Sequence, residues 1–192
     1  MNLIYLLSVS LFGVLVAIIL VRSAMLGRTG IKAIVFGETD KSDFLLVPMV
    51  LAIAYSALVP LLGLPMWAPL VRPFFQLILL QYVGLALCIL TIMGAILTLK
   101  SFGDSFRVGI DEAGPGKLVT DGMFSYSRNP IYVCFLAFIL GQFLVHPNLI
   151  ISISLLLFSL AIHRQVLREE KFLSGYYGEE YEVYCRRVRR YF

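Results

Sequence analysis

The sequence predicts an all-α polytopic membrane protein of about five transmembrane helices, with a C-terminal helical hairpin and a cytosolic amphipathic tail. Three observations lead to this fold class. Of 192 residues, 59% are hydrophobic and only 15% are charged, and the mean hydropathy is +0.88, outside the usual proportions of a soluble domain. Three apolar runs are long enough to cross a bilayer. The basic residues collect in alternate loops, which is typical of membrane proteins.

The first three apolar runs each predict a spanning helix, because about 20 apolar residues cross the hydrocarbon. They are Leu3 to Val21, Phe44 to Leu64 and Phe74 to Leu99. Basic residues follow the first run and none precedes it, which is the wrong order for a cleaved signal peptide, so we expect it to remain as a helix. The stretch from Gly27 to Asp43 carries both charge signs and is interpreted as an interfacial connector.

A helical hairpin is predicted near the C-terminal end. The apolar stretches Ile131 to Val145 and Leu149 to Ile162 flank His146, Pro147 and Asn148. Each stretch is short for a span, so we expect a tight turn between two helices whose cytosolic ends continue into polar sequence.

The positions of lysine and arginine predict the topology. Fifteen of the sixteen fall in the first loop, the third loop or the tail, and only Arg72 falls on the opposite side. Five spans with the N-terminus outside and the C-terminus in the cytosol satisfy the positive-inside rule, in a bacterial inner membrane or the endoplasmic reticulum. The net charge of +4 is therefore explained by the membrane, and we expect no nucleic acid partner. The three cysteines have no metal-ligand spacing, so we expect no metal.

The polar segment from Ser101 to Tyr132 is the first candidate for a functional site. Its many glycines and prolines favour a structured loop. Its GPGK sequence departs from the phosphate-binding loop because Leu118 stands where that motif needs Ser or Thr, which disfavours an ATPase.

This segment ends in a helix start. Asn129 is a favoured N-cap and Pro130 suits the first helical position. Free backbone N–H groups beside Arg128 would seat a carboxylate or phosphate, and Tyr132 could add a hydroxyl. The alternative is that these residues only cap and anchor the helix.

The second candidate is the polar segment from His163 to Leu173, which continues the last membrane helix. Glu169 and Glu170 point roughly 100° apart on a helix, so one can face inward while the other pairs with Arg or Lys. A solvated charged turn is the alternative. Because the hairpin places both polar segments on one side of the membrane, together they suit a zwitterionic, nucleotide-like ligand.

The tail after the helix break at Tyr176 to Gly178 is amphipathic. Tyr181, Tyr184 and Val188 share one face. Its arginines, Arg186, Arg187, Arg189 and Arg190, suit anionic headgroups. We interpret it as a lid or interfacial anchor without catalytic residues.

Two motifs in these segments resemble the isoprenylcysteine carboxyl methyltransferase and phospholipid methyltransferase superfamily. LVTDGMFSYSRNPIY is similar to the element LV-x-x-G-x-[YF]…R-[HN]-P-x-Y, and REEKFLSGYYGEEYEVYCRRV is similar to the tail EE-x-x-L-x-x-x-[FY]-G-x-x-[YF]-x-x-Y. The resemblance covers the chain from about Lys117 onward. It departs at Asn129, where many members have histidine, and at Gln165, where arginine is common and for which Arg164 or Arg168 could substitute.

The resemblance implies a membrane enzyme that uses S-adenosylmethionine, with S-adenosylhomocysteine as product. Residues 1–100 would hold three N-terminal transmembrane helices with a cytosolic loop, and residues 101–192 would form the cofactor-binding catalytic region. It implies catalytic roles for Glu170, Arg168 and Tyr132. The implied cofactor-binding residues are Lys117, Leu118, Val119, Gly122, Tyr126, Arg128, Asn129, Pro130, Tyr132, Glu169 and Glu170.

The implied reaction is methyl transfer to a lipophilic acceptor that arrives from the bilayer at the cytosolic face. An isoprenylcysteine carboxylate, a phospholipid amine, a quinone-like ring and a thiol all remain open as acceptors. Two alternatives also remain: an NADPH-dependent membrane sterol or enone reductase, which has a similar tail, and a non-catalytic membrane scaffold.

Overall fold

The computed structural model describes residues 2–29, 44, 46–106 and 116–191, and across these ranges it contains helices and no strand. The all-α class is therefore confirmed. The α-helices are α1 (Asn2–Arg28), α2 (Leu46–Leu62), α3 (Ala68–Val71), α4 (Ile78–Phe102), α5 (Pro130–Val145), α6 (Leu149–Tyr177) and α7 (Glu179–Arg187). Two short 3₁₀ helices, Gly103–Ser105 and Gly122–Ser125, lie between α4 and α5.

Three helices, α1, α4 and α6, are long and apolar enough to cross a membrane. The other two predicted spans are shorter, because α2 has 17 residues and α5 has 16. At 1.5 Å per residue they measure about 26 and about 24 Å, against a hydrocarbon core of about 30 Å. Pro60 lies inside α2.

Two helix boundaries differ from the apolar runs. Helix α1 continues past Val21 to Arg28, and the Arg22 guanidinium on this extension donates to the Gly103 carbonyl oxygen at 2.5 Å. Helix α4 begins at Ile78 rather than Phe74, and the Phe74 N–H donates to the Pro147 carbonyl oxygen at 2.7 Å. Most of the expected connector between Gly27 and Asp43, including Lys32 and Lys41, lies outside the described residues, as does Arg107.

The predicted hairpin is present, with α5 and α6 joined by residues 146–148. Asn148 caps α6 by accepting from the Ile151 N–H at 3.0 Å, and its amide donates to Ser56 of α2 at 3.0 Å. A side-chain cap here removes one of the unpaired N–H groups at the helix start.

Helices α4 and α5 run antiparallel and form the closest packing in the bundle. A Cβ atom built on Gly84 would lie 2.6 Å from the Gly141 carbonyl oxygen. At the other end Phe102 packs edge-on against Phe124, with 4.6 Å between ring centroids. The loop before α5, the start of α5 and the second half of α6 therefore meet at one end of the bundle, and Arg72 lies at the other.

Candidate functional site

The site is centred on the carboxylate of Glu170, which is 12% exposed and lies on the extension of α6. Arg128 Nη2 is 3.0 Å from Glu170 Oε1, and Arg190 places Nη2 and Nε at 2.7 and 2.8 Å from Oε2. Asn129 Nδ2 donates to Oε1 at 3.4 Å. The structure thus brings together the two polar segments. It adds Arg190, which lies just beyond the end of α7.

The segment after α7 is fastened over the start of α5 by its backbone. The Arg189 carbonyl oxygen accepts from the Arg128 N–H at 3.0 Å, and the Arg190 carbonyl oxygen accepts from Ser127 and Asn129 at 3.3 and 3.2 Å. Arg190, which the sequence suggested for anionic headgroups, pairs its guanidinium with Glu170 and keeps 38% of its side chain exposed. The hydrogen bond to Glu170 raises the pKa of Arg190, so this cation remains charged at any physiological pH.

Glu169 belongs to a separate hydrogen-bond chain on the neighbouring face of α6. Its Oε1 accepts from the Tyr132 hydroxyl at 2.5 Å and from Gln165 Nε2 at 2.9 Å. Arg168 Nη1 in turn donates to Gln165 Oε1 at 3.0 Å. Gln165 is 8% exposed, so it occupies the inward position, and Arg168 is connected to the Glu169 carboxylate through it.

Helix α5 begins at Pro130 with Asn129 at the N-cap position, as predicted, but the Asn129 side chain makes no capping bond. The amide is instead turned toward Glu170 and the Arg190 carbonyl oxygen. A charged acceptor binds an amide N–H more strongly than a neutral one. The sequence predicted that this helix start would seat a carboxylate or phosphate. The carboxylate that lies beside it in the structure is that of Glu170, from the same chain.

A cavity of about 110 Å³ lies beside this cluster. It is enclosed by the loop before α5, the end of α4, and helices α6 and α7. Its lining residues are Phe102, Ser105, Lys117, Leu118, Val119, Phe124, Arg128, Asn129, Leu173, Tyr177, Tyr181 and Tyr184.

Two buried polar atoms on this cavity lining have no hydrogen-bond partner among the described residues. They are Arg128 Nε and the Tyr181 hydroxyl. Leaving a buried donor unpaired costs about 1–3 kcal/mol, so such atoms in a cavity wall are typical of a binding site.

Burial keeps the phenols of this cavity protonated. Burial, with the charge of Glu170 added, raises the pKa of Tyr181. Burial also raises the pKa of Tyr184, although Arg128 acts in the opposite direction. The Tyr184 hydroxyl donates to the Phe124 carbonyl oxygen at 2.7 Å. Both tyrosines are therefore neutral hydrogen-bond donors at physiological pH.

Only some of the site residues predicted from the sequence line the cavity. Lys117, Leu118 and Val119 line the cavity with Arg128 and Asn129. Tyr132, Glu169 and Arg168 form the adjoining hydrogen-bond chain.

The other predicted residues lie outside the cavity lining. The Tyr126 side chain is 77% exposed, and Pro130 is buried at the start of α5. Gly122 has φ +62° and a Cβ there would collide with Ser101, so its role is in the turn.

Several cavity residues were not among the predicted site residues, including Phe102, Ser105, Phe124, Leu173 and Tyr177. Phe124, Leu173 and Tyr177 nevertheless stand at fixed positions of the two motifs. Tyr181 and Tyr184 carried a signal, since their helical spacing marked a buried face, but that face was assigned to an anchor without a site. Phe102 carried none, because it ends an apolar helix and meets the cavity through ring contacts with Phe106 and Phe124 that no local pattern indicates.

Comparison with known families matches residues 79–180 to the phospholipid methyltransferase family. Over 75 residues the chain is 37% identical to protein-S-isoprenylcysteine O-methyltransferase of Schizosaccharomyces pombe, covering 37% of this chain and 30% of that protein. Over 112 residues it is 30% identical to two proteins of Oryza sativa, from the indica and japonica subspecies, each named probable protein-S-isoprenylcysteine O-methyltransferase.

The rice matches cover 56% of this chain and 58% of each relative. The chain thus spans less than two thirds of the length of the curated relatives that it matches. No solved structure matches it.

Proposed function

The chain belongs to the phospholipid methyltransferase family, and from this premise we propose that it transfers a methyl group from S-adenosylmethionine to a lipophilic acceptor at the cytosolic membrane face. The observation that carries the proposal is the cavity between the loop before α5, α6 and α7. It places an arginine and a tyrosine with unpartnered polar atoms beside apolar side chains.

The chemistry of the cavity fits this cofactor. Arg128, whose Nε is unpartnered, is a donor for a carboxylate, and the neutral Tyr181 hydroxyl is a donor for a ring nitrogen or a ribose oxygen. Leu118, Val119 and Phe124 offer apolar surface for a flat base. The cofactor would supply an electrophilic methyl group on a sulfonium.

The cavity is smaller than the sites that usually hold a ligand of this size. Ligand sites commonly measure roughly 300–1,000 Å³, whereas this cavity is about 110 Å³. We propose that α7 moves outward when the cofactor binds. Gly178, with φ +55° between α6 and α7, is the natural hinge, because glycine adopts positive φ without steric cost.

The acceptor would reach the site from the bilayer. A cavity of about 150 Å³ between α1, α2, α5 and α6 is lined by apolar side chains, including Phe135 and Phe138. Tyr132 and Phe135 pack against the apolar clusters that border it. An apolar chain held there would bring its polar end toward Tyr132 and Glu169.

The names of the curated relatives favour a carboxylate on an isoprenylated cysteine as the acceptor. Methyl transfer is an in-line displacement, in which a bond forms from the acceptor oxygen to the methyl carbon as the sulfur–carbon bond breaks and its electron pair leaves with sulfur. Alignment and exclusion of water supply most of the rate. A carboxylate is already nucleophilic and needs no general base.

We assign roles to the predicted catalytic residues within this scheme. Glu170 would hold Arg128 and Arg190 in place around the cofactor. Tyr132 would orient the acceptor, with its hydroxyl fixed by Glu169. Arg168 would fix Gln165 and thereby the Glu169 carboxylate.

We further propose that α2 and α5 also cross the membrane, giving five spans with the C-terminal side in the cytosol. The antiparallel packing of α4 with α5 and the α5–α6 turn support alternation of direction. Residues 1–100 would then anchor the chain, and residues 101–192 would carry the cofactor site.

Calorimetric titration of the purified chain tests the cofactor. S-adenosylhomocysteine should bind and NADPH should not. The reverse result would identify a reductase, and binding of neither ligand would favour a scaffold.

Membranes incubated with methyl-labelled S-adenosylmethionine test the acceptor. Label should appear as a base-labile ester on an added S-farnesylcysteine analogue. Label on phosphatidylethanolamine instead would replace the acceptor and keep the cofactor assignment.

A further inference from the structure

A second, larger groove lies between α1 and α4, at the end of the bundle that carries the candidate site. Its volume is about 560 Å³. It is lined by Val14, Ala17, Ile18, Val21, Arg22, Met25, Ile96, Leu99 and Lys100. The acceptor cavity is lined by other residues of α1, such as Phe12, Leu15 and Ile19, so the groove is separate from the proposed reaction.

The apolar part of the groove spans most of one bilayer leaflet. From Val14 to the cationic Arg22 along α1 is eight residues, or about 12 Å, and half of the hydrocarbon core is about 15 Å. The wall is open to the surroundings, since Val14, Val21 and Met25 are 46%, 58% and 54% exposed. Its shape therefore matches an extended acyl chain of a single leaflet.

The polar end of the groove is positively charged. Arg22 on α1 and Lys100 on α4 both line it. One Arg22 nitrogen, Nη2, is held by the Gly103 carbonyl oxygen at 2.5 Å, which fixes the guanidinium at the mouth. Arg22 Nε is buried and has no partner among the described residues.

We propose that this groove binds an anionic phospholipid of the leaflet that faces the candidate site. One acyl chain would lie along α1 and α4, and the phosphate would contact Arg22 and Lys100. Basic pockets between transmembrane helices are typical binding sites for anionic headgroups. The lipid would thus add contacts between α1 and α4, the helix that supports the site, to those that Leu26 and Leu99 already make in one apolar cluster.

Thermal unfolding of the full chain in neutral detergent tests the proposal without any methyl transfer. Phosphatidylglycerol should raise the Tm in a concentration-dependent manner, as expected for a ligand that binds the folded state. Phosphatidylcholine should raise it much less, because it has no net charge. Inorganic phosphate should have no effect, because it lacks the chain.

Protein variants test the headgroup contacts and the acyl-chain contacts separately. Arg22→Gln and Lys100→Gln should each weaken the apparent affinity for phosphatidylglycerol about fivefold, the effect of one cation near an anionic surface. Ile18→Trp should fill the groove and weaken binding while both charges remain. Arg28→Gln is the matched control, since this exposed arginine lies on the same helix outside the groove.

Three results would overturn the proposal: equal stabilisation by phosphatidylcholine, stabilisation by phosphate alone, or an equal loss in Arg28→Gln. Native mass spectrometry of the unmodified chain gives an independent measurement if a variant fails to fold. It should show one phosphatidylglycerol retained from an equimolar mixture with phosphatidylcholine, and equal retention of the two lipids would also contradict the proposal.

Discussion

At the scale of single residues, the site depends on how two adjacent carboxylates are separated. Glu170 binds Arg128 and Arg190, whereas Glu169 binds Tyr132 and Gln165. The divergence follows from the helix, because consecutive residues point about 100° apart. One carboxylate therefore joins the loop and the tail, and the other joins α5 to α6.

Replacing Glu170 tests this arrangement. Glu170→Ala leaves the Arg128 guanidinium, only 12% exposed, without its carboxylate. We expect a loss of about 3 kcal/mol in the free energy of unfolding, the low end for breaking a buried pair. Binding of S-adenosylhomocysteine should weaken at least tenfold, measured by calorimetry.

Two further variants interpret that result. Glu170→Gln keeps the shape and loses the charge, so it should fall between the unmodified chain and Glu170→Ala. Glu182→Ala removes an exposed carboxylate of α7 and should change stability by less than about 0.5 kcal/mol. An unchanged affinity in Glu170→Ala would contradict the role of this carboxylate in the cofactor site.

At the scale of helices, α5 is positioned by its close approach to α4. Gly84 and Gly141 face each other where the helices cross, and small residues at such crossings let two backbones pack closely in a membrane. A Cβ on Gly141 would lie 2.7 Å from Cys88 Sγ and 2.8 Å from the Gly84 carbonyl oxygen. The crossing thereby fixes the height at which Asn129 and Tyr132 enter the site.

Gly141→Ala should separate the two helices. Neither the buried Cys88 nor the Gly84 backbone can move easily, so we expect a loss of about 1–3 kcal/mol from overpacking. The Tm in detergent measures it. Gly13→Ala on α1 is the matched control, because a Cβ there meets nothing within 4 Å; if it lowered the Tm as much, the cause would be glycine replacement in general.

At the scale of the whole molecule, the polar segments and nearly all described basic residues lie at one end of the helices, and Arg72 lies at the other. This distribution predicts sidedness in a cell. Arg72→Cys should react with a membrane-impermeant thiol reagent from outside, and Ser174→Cys should react only after the membrane is opened. Both belong in a Cys185→Ser background, since Cys88 and Cys134 are buried.

Labelling of both positions from the same side would contradict the topology. It would mean that an even number of crossings separates the two positions, whereas α4, α5 and α6 together make three.

The amino-acid sequence by itself determined the helical class, the hairpin and the family motifs. These depend on local properties: apolar run length, a turn at Pro147 and Asn148, and glutamates fixed one residue apart on a helix. The sequence predicted the helix ends less well. Helix α1 continues beyond its apolar run through Arg22, whose guanidinium contacts the Gly103 carbonyl oxygen. No local pattern in the sequence indicates that contact.

Only the tertiary structure decided which side chains surround the cavity. Arg190 reaches Glu170 because the tail folds back over the start of α5, and Asn129 gives up its capping bond for the same carboxylate. Such pairings join residues tens of positions apart. Their physical reason is that a buried charge needs a partner, and the fold, rather than the neighbouring sequence, determines which partner is within reach.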